Sequence, residues 1–269
     1  MSHAEAVPGA PETPPQTPPE TPPEWAVVTG GSKGIGRAIA ERLLESGANV
    51  VVVARNVADI DSAVAELSAT AAPAQTVIGL TADVADRASV RALFDELHAR
   101  IPRLDHFVAN AGTGRVTPFF DLTADETDEV VALNFTGTIL CMQLAAQMMR
   151  EHPIDNSCII VVSSIRGLGA VPGRLIYSAT KAGVNQAVRV AAAELAPLGI
   201  RVNILSPGIT ETPLTAKNPE VFAEMTASVP MGRAGQPRDL AEAANFLCSP
   251  AARFITGLNM IVDGGESLR

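Results

Sequence analysis

The sequence predicts one α/β domain, a doubly wound parallel sheet of seven strands with helices on both faces. Three observations carry this. Seven short apolar runs, at residues 26–29, 50–54, 76–80, 106–109, 159–163, 202–205 and 259–262, are rich in Val and Ile and do not alternate with polar residues. Strands buried on both faces read this way. Longer amphipathic stretches lie between them, for example 34–46, 89–100, 124–149, 178–196 and 237–247, and these read as helices. Strand–helix alternation along the chain implies right-handed crossovers and parallel strands.

At 269 residues, 47% hydrophobic and 18% charged, the chain can bury one sizeable core. Residues 1–24 differ in kind. They hold eight prolines, Pro8, Pro11, Pro14, Pro15, Pro18, Pro19, Pro22 and Pro23, in Thr-Pro-Pro repeats with a period of four. Such a segment builds no core and is predicted to be a disordered, polyproline-like tail, passive rather than docking. The domain is placed at 25–269.

A net charge of −9 argues against broad nucleic-acid binding. Cys141, Cys158 and Cys248 are isolated, odd in number and set in or beside apolar stretches. They read as reduced thiols in a cytoplasmic protein. No CxxC or His cluster points to a metal. No apolar run is judged to approach the ~20 residues that span a bilayer, so no membrane partner is expected.

The first strand runs into Thr29-Gly30-Gly31-Ser32-Lys33-Gly34-Ile35-Gly36 and then a helix. Glycines allow a tight turn and close approach, and the helix N-terminus presents free N–H groups to a pyrophosphate. This is the cofactor end of a Rossmann-type fold. The second strand ends at Ala54-Arg55, where many NAD-binding folds place a carboxylate. The missing acid, together with Arg55 and Lys33, predicts NADP(H). Asp83-Val84 and Asn110-Ala111-Gly112 end the third and fourth strands, at the sheet edge where ligands bind.

Tyr177, the only tyrosine, and Lys181 stand four residues apart, one turn of a helix. An ammonium there is expected to lower the phenol's pKa and make it useful for proton transfer. Ser164, thirteen residues before Tyr177, closes the fifth apolar run and can converge on the same substrate oxygen. Ser163 is expected to point to the other side. Arg115, Arg166 and Arg174 flank segments that border this site, and predict a substrate carrying a carboxylate or another anion.

In this order and spacing, the motifs resemble the short-chain dehydrogenase/reductase family over roughly residues 25–265. They are Thr29 to Gly36, Asp83-Val84, Asn110-Ala111-Gly112, Asn134, Ser164, Tyr177-Ser178-Ala179-Thr180-Lys181, Pro207-Gly208 and Asp263-Gly264-Gly265. Gly232 to Asp239 and Ile255-Thr256-Gly257 look like the 3-oxoacyl-carrier-protein reductase branch. The resemblance implies reversible hydride transfer between a ketone or aldehyde and an alcohol. Tyr177 would carry the proton, with Lys181 lowering its pKa and binding the nicotinamide ribose. Ser164 would orient the substrate oxygen, and Asn134 would hold a water linking Lys181 to solvent. Asp83 and Val84 would contact adenine, and Asn110 would line the cleft. Pro207, Gly208, Ile209 and Thr210 would lie along the nicotinamide, with a substrate lid over about 209–231. It also implies a homotetramer paired through the helices at 124–149 and 178–196, which carry more apolar surface than one buried face uses. A non-catalytic cofactor-binding sensor would have lost the Tyr, Lys or Ser, and all three are present. An epimerase would want a larger substrate domain.

Overall fold

A computed structural model describes residues 23–217 and 219–268; the proline-rich tail lies outside the described residues except for its last two positions. β1 (Trp25–Thr29), α1 (Gly34–Glu45), β2 (Asn49–Ala54), α2 (Val57–Thr70), β3 (Val77–Thr81), α3 (Arg87–Arg100) and β4 (His106–Ala109) form the first half. α4 (Ala124–Val131), α5 (Thr138–Glu151), β5 (Cys158–Val162), α6 (Leu175–Leu195), β6 (Arg201–Pro207), α7 (Pro219–Ala227), α8 (Pro237–Cys248) and β7 (Asn259–Val262) form the second. The seven strands are parallel, in the order β3-β2-β1-β4-β5-β6-β7.

The apolar runs do not alternate because both sheet faces are covered. Val27, Val51, Phe107, Ile159 and Val202 face α3, α5 and α6. Their neighbours Val28, Val50, Val108, Ile160 and Leu205 face α1 and α8. Phe107 is fully buried, so its truncation to Ala is expected to cost about 3–5 kcal/mol.

Two expectations about the middle of the chain need correction. The helix at 124–149 is not one α-helix: residues Ala132–Gly137 form a π-helical turn between α4 and α5. Such turns are rare and occur at functional sites; this one carries Asn134. Taken together, Ala124–Glu151 is also long and apolar enough to cross a bilayer. Here its apolar side chains pack against β4, β5 and α6, and Cys141, Ala145 and Met149 lie in the core.

The strand order reverses between β1 and β4, which opens a cleft at their carboxyl ends. Asn110 stitches this switch point. Its N–H and that of Ala111 donate to Thr29 Oγ1, at 3.0 and 3.1 Å. Its side-chain amide donates to the carbonyls of Thr29 and Gly30, at 3.0 and 3.1 Å.

Candidate active site

The glycine turn is shaped by contacts that no other residue permits. Gly30 has φ +64° and Gly34 φ +55°, a left-handed region that disfavours side chains. A Cβ on Gly36 would lie 2.3 Å from the Gly30 carbonyl and 2.4 Å from the Asn110 amide. The turn therefore folds against the start of α1. Lys33, at the N-cap, gives no side-chain cap, so the first N–H groups of α1 are open to an anion. A cavity of about 330 Å³ lies beside them, lined by Gly30, Ser32, Lys33, Arg55, Val84, Ala111 and Gly112 among others. A concave, glycine-floored space at a helix N-terminus fits a dinucleotide.

Several predicted residues act differently from expectation. Asn110 does not line the cavity; its amide is spent holding the glycine turn. Ile35, half-buried in the first turn of α1, packs its side chain against the core. Asp83 is absent from the cavity wall, and its carboxylate accepts from Ala85 N–H at 2.9 Å. Neither cation at the cavity is free. Lys33 pairs with Asp59 at 2.8 Å, and Arg55 lies 4.0 Å from Asp83. Asp59 was not foreseen because an acid in the first turn of a helix reads as an ordinary capping residue. Its N–H is indeed taken by the Asn56 cap at 3.1 Å.

Of the residues predicted to move the proton, Asn134 and Lys181 meet at Gly112. Asn134, fully buried, accepts from Thr113 N–H at 2.9 Å and donates to the Thr113 carbonyl at 2.8 Å. A Cβ on Gly112 would sit 3.2 Å from Asn134 Oδ1 and 3.7 Å from Lys181 Nζ. Glycine at 112 thus keeps open the space those two atoms face. Lys181 donates to the Val162 carbonyl at 2.9 Å, and its ammonium is 5.9 Å from the centre of the Tyr177 ring. Ser164 is hydrogen-bonded to Tyr177 and accepts from Arg166 N–H at 3.1 Å. Ser163 turns the other way and donates to the Lys181 carbonyl at 3.4 Å, as the alternation of a strand end requires.

The net balance on Tyr177 runs upward rather than down. Burial pushes the phenol above its usual pKa, against the opposing pull of the Ser164 hydrogen bond and of the Arg174 and Arg166 charges. Burial also pushes the Lys181 pKa down, to about 8. A buried cation loses its hydration without a carboxylate to replace it.

The three arginines also separate. Arg115 is paired with Glu129 and Arg166 with Glu266, so neither offers an uncommitted charge. Glu266 is buried, and its second oxygen accepts from Ile209 N–H at 2.7 Å. It therefore links the Ser164 loop to the segment that begins at Gly208, a tie with no local sequence signal. Arg174 has no carboxylate partner among the described residues. It stacks 5.9 Å over the Tyr177 ring and donates to the Arg115 carbonyl at 3.3 Å. Pro207 ends β6, and Gly208 accepts no Cβ because Asp263 stands 2.6 Å away. Thr210 is bridged to Gly235, which fixes the start of the predicted lid. Phe119 and Phe120, which follow the loop after Gly112, are largely exposed.

Fold and site together define an α/β oxidoreductase built around a dinucleotide cradle. The comparisons with known proteins give the family. A family model described as Enoyl-(Acyl carrier protein) reductase matches residues 30–267. The chain is 40% identical over 244 residues to cis-4-hydroxycyclohexanecarboxylate dehydrogenase of Sinomonas cyclohexanicum, covering 89% of this chain and 95% of the relative. It is 37% identical over 243 residues to a 3-oxoacyl-acyl-carrier-protein reductase of Staphylococcus aureus, covering 89% and 96%. A crystal structure of a short-chain type dehydrogenase/reductase from Mycobacterium marinum superposes with a TM-score of 0.87 at 30% identity, covering 91% of this chain and 96% of that one. This chain belongs to the short-chain dehydrogenase/reductase family.

Proposed function

We propose that the protein is an NADP(H)-dependent reductase, reversible as a dehydrogenase, that interconverts a ketone or aldehyde and an alcohol. The observation that carries this reading is the grouping of Asn134 and Lys181 in front of Gly112, with the Tyr177 ring 5.9 Å from the lysine and beside Gly114, and Ser164 next to Tyr177. The cofactor would be held by Gly30, Ser32, Lys33, Gly34 and Gly36 at its phosphates, by Val84, Ala111 and Gly112 in the cleft, and by Lys181 and Pro207 to Thr210 near the reacting end. When bound it supplies the hydride.

Tyr177 gives its proton to the carbonyl oxygen in reduction and takes it back in oxidation. A phenol held protonated by burial suits the reductive direction. Ser164 donates to the same oxygen and fixes its position. Lys181, poised near neutral pH, returns the proton to Tyr177, and Asn134 orders the path from Lys181 toward Thr113.

Preference for NADP(H) rests on Ala54 in place of an acid and on Arg55 at the cavity rim. The Asp83 contact at 4.0 Å is loose enough for a phosphate to displace. The substrate anion is assigned to Arg174, which lies over Tyr177. The relative from Sinomonas cyclohexanicum is named for a substrate that carries a carboxylate. The setting is cytoplasmic and the assembly a homotetramer. Val190 on α6 and Leu258, Ile261 and Phe254 around β7 are exposed apolar side chains that a subunit contact would cover.

Binding and turnover test the reading separately. NADPH fluorescence should change on titration with the protein, and a panel of ketones and ketoacids should then drive its oxidation. Binding without turnover across the panel would favour a sensor.

A further inference from the structure

At the rim of the sheet opposite Tyr177, three adjacent strands open with polar residues in register. His106 opens β4, Cys158 opens β5 and Arg201 opens β6; His106 pairs with Cys158, and Cys158 with Arg201. Residues in register on parallel strands share a face. Here that face is covered by α8, whose last residue is Cys248. All four side chains are buried.

Cys158 and Cys248 lie close enough for each to shift the other's titration. As a thiol, Cys158 donates to the Leu247 carbonyl at 3.4 Å. Basic side chains flank it on the neighbouring strands: Arg201, which reaches Asn156 at 3.0 Å, and His106, which reaches Glu24 at 2.9 Å. Arg201 Nε, a donor, has no hydrogen-bond partner, and a sulfur anion could accept from it. The neighbouring Cys248, helped by Arg201 and His106, pulls the Cys158 pKa down against the opposing effect of burial, while Cys248 is pushed up. Low-pKa thiols beside cations are the reactive ones. Cys141 is the contrast within the same chain: it is alone, and burial raises it to about 12.

The thiol pair lies just behind the surface. Cys158 follows the turn at 153–156, whose residues are exposed or half-buried, and Cys248 precedes the turn at Ser249 and Pro250. Neither belongs to the proton-transfer site.

We propose that Cys158 and Cys248 form a dithiol site that a peroxide oxidises to an intramolecular disulfide. The Cys158 thiolate attacks one peroxide oxygen, and the O–O bond breaks. Hydroxide leaves and is protonated to water, and Cys158 becomes a sulfenic acid, oxidised by two electrons. The Cys248 sulfur then attacks the Cys158 sulfur. The S–O bond breaks, the S–S bond forms, and the departing hydroxide leaves with the Cys248 proton as water. One peroxide and two thiols give one disulfide and two waters.

The test treats the full-length protein with hydrogen peroxide, then denatures it in an alkylating reagent and maps the peptides by mass spectrometry. Trypsin cutting after Arg115, Arg150, Arg166, Arg238 and Arg253 leaves each cysteine in a separate peptide. The expected result is a cross-link between the Cys158 and Cys248 peptides, lost on adding dithiothreitol, with Cys141 fully alkylated. In Cys248→Ser, dimedone should label Cys158. The proposal is overturned if Cys158 and Cys248 stay alkylated to the same extent as Cys141, or if the cross-link involves Cys141 or a second chain. The wild-type map decides the question by itself should Cys248→Ser fail to fold.

Discussion

Lys181 Nζ lies 5.9 Å from the centre of the Tyr177 ring, tied to the Val162 carbonyl at 2.9 Å and sealed from solvent. The lysine thus sits beside the tyrosine as a buried, strained cation.

That strain has a pH signature. The folded pKa of Lys181, about 8, is below its ordinary 10.5. Between these values the unfolded chain holds a proton that the folded chain lacks, so stability rises with pH across that window. Below pH 8 both states are protonated and the penalty is constant. In Lys181→Met this contribution disappears. The melting temperature of the wild type, relative to Lys181→Met, is therefore expected to climb from about pH 8 toward 10.5. A pH-independent difference would refute the burial argument. The variant should also lose most activity.

Cofactor choice is expected to turn on Arg55 and Ala54. Arg55→Ala should weaken NADPH more than NADH, because only NADPH has the extra phosphate to lose a partner. Ala54→Asp should move preference toward NADH through repulsion. Steady-state kinetics with both cofactors checks this, and equal kcat/KM for the two in the wild type would contradict it.

Much of this was legible in the chain because the signals were local. Unalternating Val and Ile runs mark strands covered on both faces, and the strands at 106–109 and 259–262 stand where the runs placed them. Gly30, Gly34 and Gly36 mark a turn whose φ angles and contacts only glycine accepts. The choice of Ser164 over Ser163 followed from its spacing of thirteen residues to Tyr177, with strand alternation turning Ser163 away. What escaped was set by distant partners. Glu129 and Glu266 neutralise two arginines from 14 and 100 residues away. The π-turn around Asn134 sits within an uninterrupted helical pattern. The raised pKa of Tyr177 comes from burial, which spacing does not report.

Arg174 is expected to recognise the substrate's anion, since Arg115 and Arg166 are committed elsewhere. With a ketoacid and its neutral ester compared, Arg174→Ala should raise KM for the acid about tenfold or more, with little effect on the ester. Arg115→Ala should not discriminate between them. An acid no better than its ester, in wild type and variant alike, would remove the anionic substrate from the account and leave the reductase reading intact.

The protein is expected to run as a tetramer in light scattering at micromolar concentration. Phe254 is fully exposed and Ile261 and Val190 nearly half so. Covering them across twofold axes would bury apolar surface that a monomer leaves in water. A species of only about 28 kDa would contradict this.

Tyr177→Phe tests the central claim most directly. The change removes one oxygen and keeps the ring, its packing and the fold. NADPH binding, read by fluorescence, should stay close to wild type. Turnover of any substrate found for the wild type should fall by roughly 10²–10⁴-fold, the usual worth of general acid catalysis. A variant that keeps more than about a tenth of the wild-type kcat, a loss far below that range, would show that Tyr177 does not carry the proton.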